Sequence, residues 1–440
     1  MFYRFLRVVV RWALHVYFRR VSVDGIERVP LDKPLIIACN HPNSFLEAVI
    51  LACFLPRPLH FLVRGDVFKN PRFRWFFRMT NQVPIYRFRD GFSNLRNNAK
   101  TFEYCYKTLQ EGKAILIFAE GSTEMVKRLR PLQKGAARIA MGAMSYDPNI
   151  DLQIVPIGVN FSDPTQYRSH VSIKAGQLLS MKEYFGAFQD DEPGTLQVIT
   201  DDLTRVMKPC VINIPEHIRE SEVDPLFSIL RFEDKGFKGP FAVQNASLFQ
   251  KEWSLANRLG DMSPQFFDYL LEKLSVLERL MPRLHFRRPV TVLHKAGWGV
   301  VFYSFMLTPI YYLSMVFLGL PWGIAHLVAT KKVKQVEFYA PVRLGAAMLL
   351  TILWWVVVWV IAGLWLPYGW YWGWALTPLF LFIRIYGRDH YLIRRPGIQM
   401  QWMNSKRRKK IRNHYDQLYS DVVKLANKEP FNGQHFNENH

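Results

Sequence analysis

The stretch LIIACNHPNSFLEAVILACFL at residues 35–55 decides the fold, because it changes from strand to helix across one short polar loop. Residues 35–39 are a continuous apolar run with the length of a buried strand. The polar loop NHPNS (40–44) follows, and the apolar, helix-like run 45–55 comes after it. A strand followed by a helix is the repeating unit of a parallel sheet. We therefore expect His41 at the carboxyl end of a strand, where open α/β sheets build their sites.

Further apolar runs predict more strands of the same sheet: AILIF (114–118), IVPIGVN (154–160) and VSIKAG (171–176). The stretches between the runs favour helices at 45–55, 94–111 and 133–146. Strands that alternate with helices predict an α/β domain over residues 21–180, with a mixed or mostly parallel sheet flanked by helices. Pro156 lies inside one of the runs. A proline in a strand favours an edge position or a bulge, because it has no N–H to donate.

The composition of the chain calls for an anionic partner. Its 440 residues carry a formal net charge of +21, and 50% of them are hydrophobic and 15% aromatic. A charge of this size fits either nucleic acid or the surface of an anionic membrane. Long apolar runs near the carboxyl end favour the membrane. Anionic lipid headgroups account for the basic segments beside those runs, so we expect no nucleic acid partner.

Two long uncharged runs predict a transmembrane region over residues 297–386. The run at 344–383 would measure about 60 Å as one helix, twice the thickness of the hydrocarbon core, so it must turn back, and LPYG (366–369) offers the turn. The run at 297–325 is either broken at LPWG (320–323) or forms one tilted span. We expect two hairpins with about four helices. Because basic residues follow each run, we expect an integral membrane protein whose α/β domain faces the cytoplasm.

Three other segments complete the organisation. Residues 1–20 carry arginines at helical spacing on one face and apolar side chains on the rest. This pattern is typical of an amphipathic helix lying in the membrane interface, or of a surface helix packed on the domain. Residues 181–290 predict a helical accessory region, and residues 387–440 predict a basic cytoplasmic tail.

The polar loop of the opening stretch contains the first candidate for chemistry, His41. Histidine is the usual side chain for taking a proton from a hydroxyl near neutral pH, and such a base needs a partner that fixes its tautomer. Glu47, six residues on, can turn back to supply that partner. A histidine taken alone is more often structural, so other stretches must decide its role.

Two further stretches offer groups for an anionic substrate. Arg87 follows an apolar segment, and an arginine fork grips phosphate oxygens with two hydrogen bonds. The segment FAEGST (118–123) places a carboxylate, a permissive glycine backbone and a hydroxyl at the end of a strand. The basic run KRLRPLQK (127–134) follows closely. Together these groups could hold a phosphorylated polyol.

In order and spacing these stretches resemble the four blocks of the glycerolipid acyltransferases of the lysophosphatidate and glycerol-3-phosphate type. The first block of that family is usually H-x4-D, with an H-x5-D branch, and here it is H-x5-E at 41–47. The second block carries an arginine and corresponds to PIYR (84–87). The third reads roughly F-P-E-G-[TS]-R and corresponds to FAEGST, with Thr123 where arginine is common. The fourth is apolar around a proline and corresponds to VPIG (155–158).

The resemblance covers about residues 20–180 and implies roles for individual residues. It makes His41 the base, oriented by Glu47, that deprotonates a hydroxyl of a glycerol phosphate acceptor. The alkoxide then attacks the thioester of acyl-CoA or acyl carrier protein, without a metal or other cofactor. The residues implied to bind the acceptor or to shape the acyl side are Asn43, Arg87, Glu120, Gly121, Ser122, Lys134 and Pro156. The candidates for the charge missing at position 123 are Lys127, Arg128 and Arg130.

The resemblance thus implies a membrane-bound O-acyltransferase of phospholipid biosynthesis. Its partners would be membrane lipids, the acyl donor and a glycerol phosphate acceptor. Two alternatives remain open. One is an acyltransferase for another lysolipid or an aminolipid. The other is a catalytically inactive lipid-binding relative, which the glutamate at position 47 keeps open.

Overall fold

The structure, a computed structural model, describes residues 2–65, 71–85, 92–233, 243–244, 247–280, 298–401 and 403–427. The chain divides into two compact units. The first comprises Met1–Ile212, Phe241–Ala246 and Gln335–Pro341, and the second comprises Asn213–Pro240, Ser247–Lys334 and Val342–His440. Each unit therefore takes in segments that are distant in the sequence.

Strands and helices alternate through the first unit, as the apolar runs predict. In chain order its elements are α1 (Phe2–Tyr17), β1 (Phe18–Asp24), β2 (Leu35–Cys39), α2 (Leu46–Phe54), β3 (Leu59–Arg64), α3 (Pro71–Met79), β4 (Gln82–Ile85), α4 (Phe92–Gln110), β5 (Ala114–Phe118), α5 (Gly135–Tyr146), β6 (Gln153–Phe161), β7 (Ser169–Ala175), β8 (Leu179–Ser180), α6 (Lys182–Asp190) and α7 (Glu192–Met207). The elements that follow are α8 (Glu220–Glu233), β9 (Val243–Gln244), α9 (Ser247–Gly260), α10 (Pro264–Leu280), α11 (Trp298–Phe317), α12 (Gly319–Lys332), α13 (Tyr339–Trp365), α14 (Gly369–Gln401) and α15 (Ser405–Ala426).

The nine strands found among the described residues form one sheet in the order β4-β3-β5-β2-β6-β7-β1-β9, with β8 paired to β6. The strands from β4 to β6 in this order run parallel to one another. β7 is antiparallel to β6, whereas β1 is parallel to both β7 and β9. The sheet is thus mixed and mostly parallel, with helices flanking it, which confirms the fold class predicted from the sequence.

One face of the sheet packs against α4, α5 and α7 in a continuous apolar layer. On this face β2 contributes Ile36 and Ala38, and β5 contributes Ile117. Each large aliphatic side chain buried in such a layer stabilises the fold by about 1.5–3 kcal/mol. Because α7 belongs to this layer, the first unit runs on to Ile212, beyond the domain boundary proposed at residue 180.

The edge position expected for Pro156 is wrong, because β6 is a central strand between β2 and β7. Pro156 lies opposite Ala38 of β2, and on its other side its carbonyl accepts the N–H of Gly176 at 2.9 Å. β7 ends at Ala175 and β8 begins at Leu179, so the partner strand is interrupted beside the proline. This interruption explains how a residue without an N–H fits into a central strand.

The apolar carboxyl-terminal region is helical in two pairs. α13 ends at Trp365 and α14 begins at Gly369, so the chain turns at the LPYG segment that the sequence indicates. α11 and α12 meet at Leu318, just before the LPWG segment, and the axes of Thr308–Phe317 and Gly319–Lys332 differ by 63°. Of the two possibilities for the first run, the structure therefore has two helices with a sharp bend.

One helix among the described residues, Val336–Trp365, is long and apolar enough to cross a membrane. The bent pair Thr308–Phe317 and Gly319–Lys332 counts as a second crossing if it forms one span. Only 6% of the most apolar stretch of Val336–Trp365 is buried in this chain. An apolar surface of that extent suits lipid better than water, which indicates association with a membrane.

The basic cluster near the carboxyl end belongs to a packed helix. α15 contacts α8, α9 and α10 of the second unit. Its buried side chains recur at helical spacing and are Ile411, Tyr415, Leu418, Val422 and Leu425. The segment proposed as a basic tail therefore contains a helix of a bundle over Ser405–Ala426, and residues 428–440 lie outside the described residues.

Candidate active site

The register of β2 and β5 brings two of the predicted site residues together. Cys39 is opposite Phe118 at the carboxyl ends of these parallel strands, so His41 and Glu120 each lie two residues beyond that pair. The N–H of His41 donates to Glu120 Oε2 at 3.1 Å. The imidazole ring stacks on the ring of Phe118, with 3.8 Å between centroids and 9° between planes. The strand ends thus fix both the backbone and the ring plane of His41.

Glu47 reaches His41 from the first turn of α2. Its side chain is fully buried, and a carboxylate is favoured at the amino end of a helix by the helix dipole. Oε1 lies 3.6 Å from Nδ1 of His41 and accepts the backbone N–H of Asn43. Burial raises the pKa of Glu47, and the neighbouring imidazole lowers that pKa in part. The structure therefore brings the predicted pair together, with the extra methylene of glutamate spanning the gap.

The geometry leaves one ring nitrogen of His41 for a substrate. Nδ1 is buried and faces Glu47, whereas the side chain as a whole is 12% exposed. With Nδ1 turned to the carboxylate, Nε2 is the nitrogen that can take a proton from a hydroxyl. A carboxylate in this position holds the tautomer and stabilises the imidazolium that forms. The arrangement can act as a general base.

Glu120 is bound on every side. Its side chain is 2% exposed, and Arg130 donates to Oε2 through Nε at 3.1 Å and through Nη2 at 2.7 Å. The backbone N–H of Arg130 donates to Oε1 at 3.2 Å. Arg130, one of the three basic residues considered for the missing charge, thus contacts the third block. The carboxylate itself faces protein donors, so its geometry does not support the direct contact with substrate implied for it.

Gly121 and Ser122 shape the loop after β5. Gly121 has φ +69°, and a Cβ there would lie 2.8 Å from the side chain of Gln133, so glycine is needed for both the conformation and the space. Ser122 Oγ accepts a hydrogen bond from Arg130 Nη1 at 2.8 Å. Its hydroxyl proton remains available to donate. The loop therefore presents an exposed glycine and one hydroxyl at the carboxyl edge of the sheet.

The remaining predicted residues have different positions. Asn43 is fully buried beside Glu47, and Lys134 is half-buried at the start of α5.

Pro156 is in register with Ala38, whose side chain belongs to the layer under α5 and α7. That face is opposite to the one carrying Phe118 and the His41 ring, because side chains alternate along a strand. The acyl-side role implied for Pro156 has no support in this geometry, and Arg87 lies outside the described residues.

Two features of the site were missed from the sequence. One is the stacking of Phe118 on His41, which its place as the last residue of a predicted strand could have indicated. The other is the turn at 336–338, which belongs to the first unit and whose Glu337 carbonyl accepts the N–H of Ser44 at 3.4 Å. No local pattern signals a contact between residues so far apart in the chain.

Thiol chemistry has little support at this site. The four cysteines are buried and unpaired, and burial raises the pKa of Cys39 well above its ordinary value. A protonated, buried thiol is a poor nucleophile. Within the described part of the chain, no group of three or more His, Cys, Asp and Glu side chains could hold a metal ion. The imidazole–carboxylate pair is therefore the group to which we assign the chemistry.

Known proteins that are similar to part of this chain are acyltransferases. The family model described as Acyltransferase matches residues 20–160. A 1-acyl-sn-glycerol-3-phosphate acyltransferase of Chlamydomonas reinhardtii is 30% identical over 141 residues, which cover 32% of this chain and 38% of that protein. Glycerol-3-phosphate O-acyltransferase 2 of Saccharomyces cerevisiae is 25% identical over 122 residues, which cover 28% of this chain and 16% of that protein. The chain thus spans less than two fifths of the length of these relatives.

Among solved structures, the 1-acyl-sn-glycerophosphate (LPA) acyltransferase PlsC from Thermotoga maritima matches with a TM-score of 0.32 and 16% identity, over 46% of this chain and 78% of that chain. That likeness is too small to support a conclusion about the fold. The family match is more specific, because it spans the strands β2, β5 and β6 together with His41, Glu47 and Glu120. Residues 20–160 of this chain are therefore similar to the acyltransferase family over the segment that contains the candidate site.

Proposed function

We propose that this chain is an O-acyltransferase that moves a fatty acyl group from acyl-CoA or acyl carrier protein to a hydroxyl of lysophosphatidate or glycerol 3-phosphate. The observation that carries the proposal is the pairing of His41 with the buried carboxylate of Glu47 at the carboxyl edge of β2. The printed names of the relatives support the acceptor class. The choice of donor rests on the resemblance alone.

The reaction follows from the position of the base. His41 Nε2 takes the proton of the acceptor hydroxyl while the oxygen attacks the carbonyl carbon of the thioester. A C–O bond forms, the C–S bond breaks, and the imidazolium returns its proton to the leaving thiolate. Glu47 keeps Nδ1 protonated and stabilises the imidazolium during the transfer. Such a positioned base contributes about 10²- to 10⁴-fold in rate.

The acceptor phosphate needs cations, and we assign it to Arg87 and Lys134. Arg87 follows the carboxyl end of β4 by two residues, and Lys134 follows Gln133, whose N–H donates to the carbonyl oxygen of Ala119 just beyond β5. The exposed Gly121 and the hydroxyl of Ser122 complete the seat for the glycerol phosphate. A cation near the phosphate lowers the cost of bringing a second anion, the acyl donor, to the same edge.

The membrane part of the proposal rests on exposed apolar surface. We propose that the chain is integral through its apolar helices and that its catalytic domain lies on the cytoplasmic side. α1 packs on α2 by Arg7, which donates to the carbonyl oxygens of Cys53 and Leu55. Its outer side exposes Phe5, by 68%, and Trp12, by 59%. An apolar stripe on a helix that is already anchored on its other side suits the membrane interface.

The interfacial position of α1 can be measured directly. Trp12→Cys introduces a reactive thiol at this stripe, since the native cysteines are buried. A polarity-sensitive fluorophore on that thiol should shift to the blue when the protein enters nanodiscs from detergent-free amphipol. The matched control is Val198→Cys, at a position 52% exposed on α7. Equal emission from both positions in nanodiscs would remove α1 from the interface.

The catalytic proposal is tested with His41→Ala in purified full-length protein. Acyl-CoA and acyl carrier protein donors are crossed with lysophosphatidate and glycerol 3-phosphate, and product is measured with labelled acyl groups. We expect loss of at least 100-fold in kcat, whereas the control His217→Ala, an exposed histidine far along the chain, should retain wild-type rates. Undiminished transfer by His41→Ala would contradict the mechanism.

One observation favours a second acceptor class. Thr123 stands where the third block of the resembled family carries arginine, and Arg130 is already engaged by Glu120. A weaker phosphate seat would suit another lysolipid or an aminolipid. Comparing acceptors with and without a terminal phosphate separates the two possibilities. A preference for the phosphate-free acceptor would favour the second class.

A further inference from the structure

Most N–H donors of the Arg130 guanidinium group are taken by protein oxygens. Nε and Nη2 donate to Glu120 Oε2, at 3.1 and 2.7 Å. Nη1 donates to Ser122 Oγ at 2.8 Å, and Nη2 also donates to the carbonyl oxygen of Ser122. Nη1 also lies 3.6 Å from Glu124 Oε2, an ion-pair contact longer than a hydrogen bond. Of the five N–H donors of an arginine, four are thus taken by Glu120 and Ser122.

The charges around Arg130 also disfavour a phosphate ligand at this residue. Its single positive charge lies between two carboxylates, Glu120 at 2.7 Å and Glu124 at 3.6 Å. These two carboxylates offset the charge of Arg130, which weakens its attraction for a phosphate. The side chain of Arg130 is also only 14% exposed. A phosphate-binding arginine would present a free edge of its fork to the ligand.

Glu120 links the guanidinium group of Arg130 to the backbone of His41. Oε2 accepts both the guanidinium and the backbone N–H of His41, the latter at 3.1 Å. A carboxylate that is held by a fixed guanidinium thus fixes the peptide that carries the imidazole. Hydrogen bonds in which one partner is charged are stronger than those between neutral groups. The chain of contacts runs from Arg130 through Glu120 to the backbone of His41.

We infer that Arg130 is a positioning residue that clamps Glu120 onto the backbone of His41, and that it is not a ligand of the acceptor phosphate. The inference rests on the proposed function for the role of His41 as base. It assigns to Arg130 a task different from supplying the charge missing at Thr123. The phosphate charge must then come from other cations.

Steady-state kinetics distinguish a positioning role of Arg130 from a phosphate-binding role. We expect Arg130→Met to lower kcat by about tenfold or more, with the acceptor KM within about twofold of wild type. Arg130→Lys keeps the charge but cannot make the forked contacts, so it should remain low in kcat. The control is Arg138→Met, an exposed arginine on α5, which should retain wild-type values. A raised acceptor KM at unchanged kcat, largely restored by Arg130→Lys, would overturn the clamp.

A pH profile adds a readout that loss of fold would not move. In Arg130→Met the charge of Glu120 is no longer balanced beside His41, so the acid limb of kcat/KM should move to higher pH. Glu120→Gln removes that charge, and the double variant Glu120→Gln/Arg130→Met should return the acid limb toward its wild-type position. An acid limb that stays in place in all three variants would contradict the clamp.

A third measurement does not depend on turnover. The rate at which diethylpyrocarbonate modifies His41, followed by mass spectrometry, reports how firmly the ring is held. Arg130→Met and Glu120→Gln should each raise this rate severalfold, and Arg138→Met should not. Unchanged modification in both clamp variants would overturn the inference even if the proposed acyl transfer fails. Full activity of His41→Ala with raised modification in the clamp variants would overturn the proposed function alone.

Discussion

Two buried carboxylates, Glu47 and Glu120, contact His41, and their hydrogen-bond partners differ. Glu47 is fully buried with one imidazole and one backbone N–H beside its Oε1, and burial raises its pKa. Glu120 is almost as buried, yet it accepts the backbone N–H of His41, the backbone N–H of Arg130 and two guanidinium donors. A carboxylate that must respond to the charge of an imidazole is left with few partners. A carboxylate that must hold a loop in place is saturated with donors.

The difference has its origin in the surrounding chain. Glu47 is in the first turn of α2, where the helix itself supplies a favourable field but no cation. Glu120 precedes an irregular loop that returns Arg130 to it ten residues later. Changes to the two carboxylates should therefore affect different quantities. Those at Glu47 should act on rate and on the pH dependence of stability, and those at Glu120 should act on stability and, through the backbone of His41, on rate.

Glu47→Gln is expected to have the largest effect on activity. The amide can still accept the N–H of Asn43, but it cannot stabilise the imidazolium that forms on His41. We expect kcat to fall by about 100-fold or more at unchanged acceptor KM, measured as initial rates with labelled donor. Glu103→Gln, an exposed carboxylate paired with Lys107, is the matched control and should keep its rate. A Glu47→Gln variant with more than a tenth of the wild-type kcat would break the comparison.

Arg130→Met should have the next largest effect, this time on stability. It leaves Glu120 buried without its cation, and breaking a buried ion pair in this way costs about 3–5 kcal/mol in the free energy of unfolding. The control Lys107→Met breaks an exposed pair and should leave the melting temperature near that of the wild type. Glu120→Gln/Arg130→Met should recover part of the loss, because no charge is left buried. Equal melting of Arg130→Met and Lys107→Met would show that Glu120 is not held as the structure indicates.

Glu47→Asp sharpens the comparison at a smaller scale. Aspartate withdraws the carboxylate by about 1.5 Å, one carbon–carbon bond, from a separation that is already 3.6 Å in the wild type. We expect a fall of about tenfold in kcat, well short of the effect of Glu47→Gln, since a charge remains near the ring. The readout is the same initial-rate assay on the two variants side by side. Wild-type activity of Glu47→Asp would mean that α2 moves to close the gap.

The strands were predictable because burial on both faces makes their apolar runs continuous. The predicted run at 35–39 coincides with β2, and the run at 114–118 coincides with β5. Their parallel register then brings together His41 and Glu120, which lie 79 residues apart in sequence. Pattern and topology together therefore locate the edge of the sheet where the site lies.

The Glu120–Arg130 clamp was not predictable in the same way. An irregular loop has no period, so spacing alone could not select Arg130 over Lys127 or Arg128. The contact of Ser44 with the Glu337 carbonyl is harder still, because it joins residues separated by most of the chain. The sheet follows from local patterns, whereas these details follow from long-range packing.

The smallest expected effect concerns pH and tests the raised pKa of Glu47 directly. Because burial raises this pKa, the folded protein keeps the proton over a range where the unfolded chain, with an ordinary glutamate pKa of about 4.3, has released it. The group therefore contributes stability that is fully present below that value and is lost as pH rises through the folded pKa. Glu47→Gln does not titrate, so it should gain in melting temperature relative to wild type as pH rises from 4 through that range. A difference that stays constant across pH would show that burial does not raise the pKa of Glu47.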